Sequence, residues 1–95
     1  MNEIKVRLLA DDVNAVVLIT PGRNFPGMVI QGDSLRGLHR VAERVRQLAH
    51  GLQNGELLGE IHELCERLEE RVVLYESVLD RHGISLPYPD RVGGK

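Results

Sequence analysis

The spacing of the apolar residues changes at Gly32, and that change fixes the fold class open to this chain. Before it the period is two. In residues 3–9, Ile4, Val6 and Leu8 alternate with Glu3, Lys5 and Arg7, which is the pattern of a strand with one wet face. Residues 15–20 are β-branched and almost wholly apolar, as in a more deeply buried strand, and residues 28–31 form a third short apolar run. Between them, Asp11-Asp12-Val13-Asn14 has turn chemistry, and residues 21–27 are a loop with a Pro-Gly pair at each end. Sequential strands with short connections favour an antiparallel meander.

After Gly32 the period is three and four. Leu35, Leu38, Ala42, Val45, Ala49 and Leu52 make one stripe, widened by Val41 and Leu48, behind Asp33 or Ser34 as N-cap. Asn54-Gly55 marks a turn. A second stripe follows: Leu57, Ile61, Leu64, Leu68, Val72, Tyr75 and Leu79, with Leu58, Cys65 and Val78 beside it. Gly83 is well placed as the left-handed residue that ends this helix. The expected fold is α+β in the order β-β-β-α-α: a three-stranded antiparallel meander followed by a two-helix hairpin packed on one face. One domain is expected from 95 residues. It divides into a sheet at 1–31, helix one at 33–53, helix two at 56–82, an extended tail at 84–90 and a loose end at 91–95.

Composition narrows the function. The aromatics are Phe25, Tyr75 and Tyr88, with no Trp, too few for the stacking platforms of single-strand nucleic-acid binders. The net charge of −2 gives no electrostatic reason for a phosphate backbone as partner. Cys65 stands alone, so no disulfide can form within the chain, which suits a reducing cytoplasm. Residues 15–19, the longest apolar run, are too short to span a bilayer, and the N-terminus lacks a signal-peptide pattern. The expected location is cytoplasmic.

No constellation reads as chemistry. His62-Glu63-Leu64-Cys65-Glu66 has one His where HExxH needs two, and no third ligand lies near in sequence. His39, His50, His62 and His82 fall at polar or boundary helix positions, and nothing aims one at Cys65. Asp11 and Asp12 sit where a turn needs Asp. Neither a GK[ST] phosphate loop nor a GxGxxG loop is present. No catalytic residue, metal or cofactor is expected.

Two features point to a protein partner. The second helix runs for about 40 Å, long beside the roughly 13 Å radius of gyration of such a domain, yet its stripe continues to Leu79. The excess needs cover from the tail, a second copy or a foreign protein. Charge is also split. Residues 34–53 carry four arginines (Arg36, Arg40, Arg44, Arg46) against Glu43, a net +3, while residues 56–82 carry eight acids against three arginines, a net −5. Folding the hairpin at Asn54 should set Arg44 opposite Glu66 and Arg40 opposite Glu69 or Glu70. Surplus acid at Glu60, Glu63, Glu66 and Glu70 then forms either a solvated face or a surface that steers a basic partner. Arg23, Asn24 and Phe25 project from a loop stiffened by two prolines. They are either a connector in which Phe25 caps the core or an interface.

Residues 24–35 carry a further clue. Their core, Gln31-Gly32-Asp33-Ser34-Leu35, following a strand and opening an amphipathic helix, resembles HicB-like antitoxin domains over residues 4–49. That likeness implies binding and neutralising a small toxic ribonuclease, and many such proteins add a DNA-binding module. Here a second long helix stands where a further strand should follow, and no DNA-binding segment is visible. The whole chain also looks like a family of small bacterial proteins of unknown function that share the Pro-Gly-Arg-x-Phe-Pro-Gly and Gln-Gly-Asp-Ser-Leu segments. The reading is a non-catalytic, protein-binding module of the immunity or antitoxin type. It would hold a basic toxin through Arg23, Asn24, Phe25, Glu60, Glu63, Glu66 and Glu70. The alternative is a self-associating accessory protein that dimerises through helix two.

Overall fold

A computed structural model of the chain describes residues 3–12 and 15–93. The chain divides into two compact units, Met1–Gln31 and Gly32–Lys95, each taken by itself below. The element order is β1 (Arg7–Asp12), β2 (Ala15–Ile19), β3 (Gly27–Val29), α1 (Gly32–Leu48) and α2 (Gly55–Arg81), so the α+β class and the β-β-β-α-α order hold.

The first unit is a meander in the order β1-β2-β3, antiparallel throughout. β1 lies further along the chain than the alternation at 3–9 suggests. Its register to β2 runs Arg7↔Ile19 and Leu8↔Leu18, then shifts so that Ala10 faces Val17, which leaves Leu9 as the extra residue of a bulge. Asp11 and Asp12 therefore pair with Val16 and Ala15 as strand residues rather than turn residues. The rest of the expected turn, residues 13 and 14, lies outside the described residues. β3 is shorter than expected and ends at Val29. Between β2 and β3, Arg23 donates its amide to the Thr20 carbonyl at 3.3 Å, with Gly22 at φ 78°. A proline followed by a left-handed glycine is the chemistry of a type II turn.

The second unit is an antiparallel pair of helices with a returning tail. Asn54 caps α2: its side chain accepts from the Leu57 amide at 3.0 Å. At the far end Gly83 is left-handed at φ 66°, Ile84 donates to the Leu79 carbonyl at 2.9 Å and Gly83 to that of Asp80 at 3.2 Å. This is the paired closure that satisfies the Leu79 and Asp80 carbonyls. α1 ends five residues before the expected 53, at Leu48, and the chain then turns over through Gly51. Its start is one residue early, because Gly32 opens the helix and Asp33 sits inside the first turn, where the helix dipole favours an acid.

The seam between the helices is thin. Ala42 and Ala49 of α1 meet Ile61 and Cys65 of α2, with Leu58 and Leu68 against them. Small side chains bring the backbones close enough for the Cys65 thiol to donate to the Ala42 carbonyl at 3.2 Å. Further along α2, Val72 and Glu76 are buried, and so is Tyr88 of the tail. Among the described residues, no helix is long and apolar enough to cross a membrane.

Candidate functional site

Glu76 is the most deeply buried polar residue of the helical unit, at 0 % exposure. Sequence counting places it with the solvated acids of α2; here it clasps the tail. Its Oε1 accepts from the Gly93 amide at 2.7 Å and from Val92 at 3.0 Å, and its Oε2 accepts from the Tyr88 hydroxyl at 2.7 Å and from Val92 at 2.9 Å. The expectation that residues 91–95 are loose is thus corrected for Val92 and Gly93. Tails usually fray, but charge-assisted bonds to a buried carboxylate hold this one.

On the α1 side the same tail meets arginines. Arg36 donates to Asp90 at 2.7 Å, and its guanidinium lies 5.9 Å from the centre of the Tyr88 ring. Arg40 donates to the other Asp90 oxygen. The expected pairing of Arg40 with Glu69 or Glu70 does not form, because the tail supplies Asp90 first. Arg44 is two positions past buried Ala42 and so points away from α2; it does not reach Glu66, which pairs instead with His62 at 3.2 Å.

Burial works against a charged Glu76, yet the bonds from Gly93, Tyr88 and Val92, with Arg91 nearby, outweigh it. They hold this carboxyl below the ordinary 4.5. The bond from Arg40, aided by Arg36, holds Asp90 below the ordinary 3.8. Burial and the bond to Glu76 push the Tyr88 hydroxyl above its ordinary 10.0. Depressed carboxyl values mean stabilisation that is complete above the ordinary values and lost as pH falls through the folded ones. The tail should therefore release below about pH 4.5, ahead of the hairpin. In a proton NMR titration the Val92 and Gly93 amide resonances should move together over that range, while the helical circular dichroism still persists. Resonances that stay fixed until the helical signal itself is lost would show that the tail is not released ahead of the hairpin.

His39, expected at a polar or boundary position, is 1 % exposed. With Glu43 and Glu69 it forms a trio of metal-ligand type whose ligand atoms lie within 4.8 Å of one another. Arg36 donates to His39 Nδ1 at 2.8 Å. A guanidinium only donates, so Nδ1 accepts and the proton sits on Nε2, which has no hydrogen-bond partner. A metal-bound Nε2 needs the opposite tautomer, with Nδ1–H donated to an acceptor. With Arg36 on Nδ1 and a proton on Nε2, the trio does not suit a cation. His39 and Glu43, four apart on one helix, were the only hint of it in the sequence.

The outer side of the hairpin is different. Leu38, Val41, Ala42, Val45, Leu64 and Leu68 line an apolar groove of about 280 Å³ between the helices. Val41 is 62 % exposed and Leu64 51 %. The α1 stripe is thus wider than the seam it serves. Leu35, Ala42 and Ala49 turn inward, while Leu38, Val41, Val45 and Leu48 face out.

The acids Glu60, Glu63, Glu66 and Glu70 are all exposed on α2. Glu63 pairs with Arg67 of its own helix at 2.7 Å, a bond that raises the pKa of the exposed guanidinium. Among the described residues, Glu60 and Glu70 make no ion pair, and no arginine bridges to a glutamate across the hairpin. Arg23, Asn24 and Phe25 are exposed in the loop of the first unit, with Phe25 at 81 %. Phe25 is thus not a cap buried in a core. The loop and the acidic face belong to separate units.

A family model described as "Family of unknown function (DUF6959)" matches residues 1–88. The chain belongs to this family. The DUF6959 match takes in all five elements of secondary structure and the tail as far as Tyr88. The function of the family is unknown, and the HicB-like likeness of residues 4–49 finds no counterpart in the match. No curated protein and no solved structure matches the chain.

Proposed function

We propose that this protein is a non-catalytic binding module of the immunity or antitoxin type, which holds a basic protein against the outer face of α2. The observation that carries the reading is the unspent acid. Folding was expected to neutralise part of α2 against the arginines of α1, but Arg36 and Arg40 are taken by Asp90 and Arg44 points away. No arginine of α1 is left for the acids of α2: Glu70 and Glu60 present unpaired charge outward, and Glu63 and Glu66 have partners on their own helix alone, Arg67 and His62. Exposed charge of one sign speeds encounter with an opposite partner and selects against like-charged ones. The exposed Arg23, Asn24 and Phe25, held by the Pro21-Gly22 turn, offer a second contact of interface composition.

The test pairs this chain with the products of its adjacent genes. Co-expression should relieve the growth arrest caused by one of them, and the purified pair should bind more weakly as salt rises. Changing Glu63, Glu66 and Glu70 together to Gln keeps helix propensity and should abolish the relief. Binding that is unchanged in the triple variant, or no binding to any neighbouring product, overturns the reading.

A further inference from the structure

We infer that the apolar groove of the hairpin is the seam of a two-fold dimer, its occupant being the same groove of a second copy. The outward residues Leu38, Val41, Val45 and Leu48 follow steps of three, four and three. That is the repeat by which one helix receives another. The seam thus calls for a helical partner, and charge says which one. Arg44 lies three residues after Val41 and four before Leu48, so it rims the groove on the α1 side. Glu60 lies three after Leu57 and four before Leu64, and rims it on the α2 side; Arg67, three after Leu64, shares that rim but is already paired with Glu63. Arg44 and Glu60 have no ion pair among the described residues.

A foreign basic protein would suit Glu60 and be repelled by Arg44, and an acidic one the reverse. A second copy carries both rims. The bond from Cys65 to the Ala42 carbonyl sets the two helices level, which puts Arg44 beside the Glu60–Glu63 turn. A two-fold axis along the helices then lays α1 of each copy over α2 of the other. Arg44 meets Glu60 of the second copy, and symmetry repeats the contact. An axis across the helices would instead stack α1 on α1 and bring Arg44 against its own copy. The result is a four-helix arrangement that covers Leu38, Val41, Val45 and Leu64 in both chains and leaves Glu63, Glu66 and Glu70 outside.

Sedimentation of the full chain between about 1 and 100 μM should give twice 10.6 kDa. Val41→Asp should weaken the dimer at least about a hundredfold. Because Val41 faces outward, its helical circular dichroism should match that of the parent. Arg44→Glu and Glu60→Arg should each weaken association about tenfold, and the double variant should return to within about threefold. A monomer over the whole range, a Val41→Asp protein that still dimerises, or a double variant no better than the singles overturns the proposal. The triple Gln variant at Glu63, Glu66 and Glu70 should remain a dimer, so loss of partner binding there and loss of dimer here are separate results.

Discussion

Glu76→Ala is expected to cost the helical unit about 3–5 kcal/mol, because it strands several donors at once. The Tyr88 hydroxyl and the Val92 and Gly93 amides all converge on this carboxylate. Their carbonyl-like alternatives are gone once the side chain is cut to a methyl group. Hydrogen bonds to a charged acceptor contribute about 1.5–3 kcal/mol each. Not all of that is lost, because the tail can lift off and give its amides to water. Lifting exposes Tyr88, which is 9 % exposed in place, so the hydrophobic part of the contact goes too. Against a total margin of about 5–15 kcal/mol, the loss is large.

Urea unfolding should therefore show a midpoint well below that of the parent, and hydrogen exchange should lose protection at residues 84–93. Tyr88→Phe is the internal comparison. It removes one donor and leaves Glu76 its two amides, so it should cost only about 1 kcal/mol. If Glu76→Ala and Tyr88→Phe prove equally mild, the clasp contributes nothing beyond one ordinary hydrogen bond. Arg36 and Arg40 hold Asp90 independently, so the tail of the Glu76 variant should keep some contact near residue 90.

The elements that apolar period decides were legible: three strands and two helices, with Gly83 marking the end of the second. Asn54 read only as part of a turn, and it caps α2. Where tertiary contact decides, the sequence was silent or misleading. Residues 3–9 alternate as a strand, but β2 pairs with residues 7–12, and a bulge at Leu9 moves the faces of β1. Period shows how wide an apolar stripe is and not how much of it a neighbour covers. Leu38 and Ala42 look alike on a helical wheel, yet Ala42 is buried and Leu38 lies open. The α1–α2 seam uses the smaller residues because they let the backbones approach. Glu76 and Arg36 read as solvated charges because each has charged neighbours in sequence. Only the returning tail, some twelve to fifty residues away, makes them interior groups. The acidic face of Glu60, Glu63, Glu66 and Glu70 was legible from spacing, since an exposed helix surface needs no partner to define it. The groove was not, because it is what remains after the seam has formed.

Gly32→Ala tests a single contact that the motif Gln31-Gly32-Asp33-Ser34-Leu35 conceals. A methyl group on Gly32 would fall inside the ring of Tyr75, on Cζ, Oη and Cε2. The backbone there needs no left-handed φ, so glycine is required for space rather than for conformation. Tyr75 sits on α2 between Val72 and Glu76, so moving its ring disturbs the helix contact and the clasp together. The expected cost is about 2–3 kcal/mol, in the range of overpacked cores. The sign should reverse in a Tyr75→Ala background. With the ring gone, the same change places a better helix former in the first turn of α1 and should be neutral or stabilising by up to about 1 kcal/mol. A thermodynamic cycle over the two sites should then return a coupling of about 2–3 kcal/mol, far above the 0.3–0.5 kcal/mol scatter of roughly independent sites. Additive costs would mean that the ring of Tyr75 is not what fills the space above Gly32. The cycle also bears on the Gln31–Leu35 segment. If the coupling is found, the glycine that closes the strand region and opens α1 is a packing residue. Its place in the motif then follows from how closely α1 must approach α2.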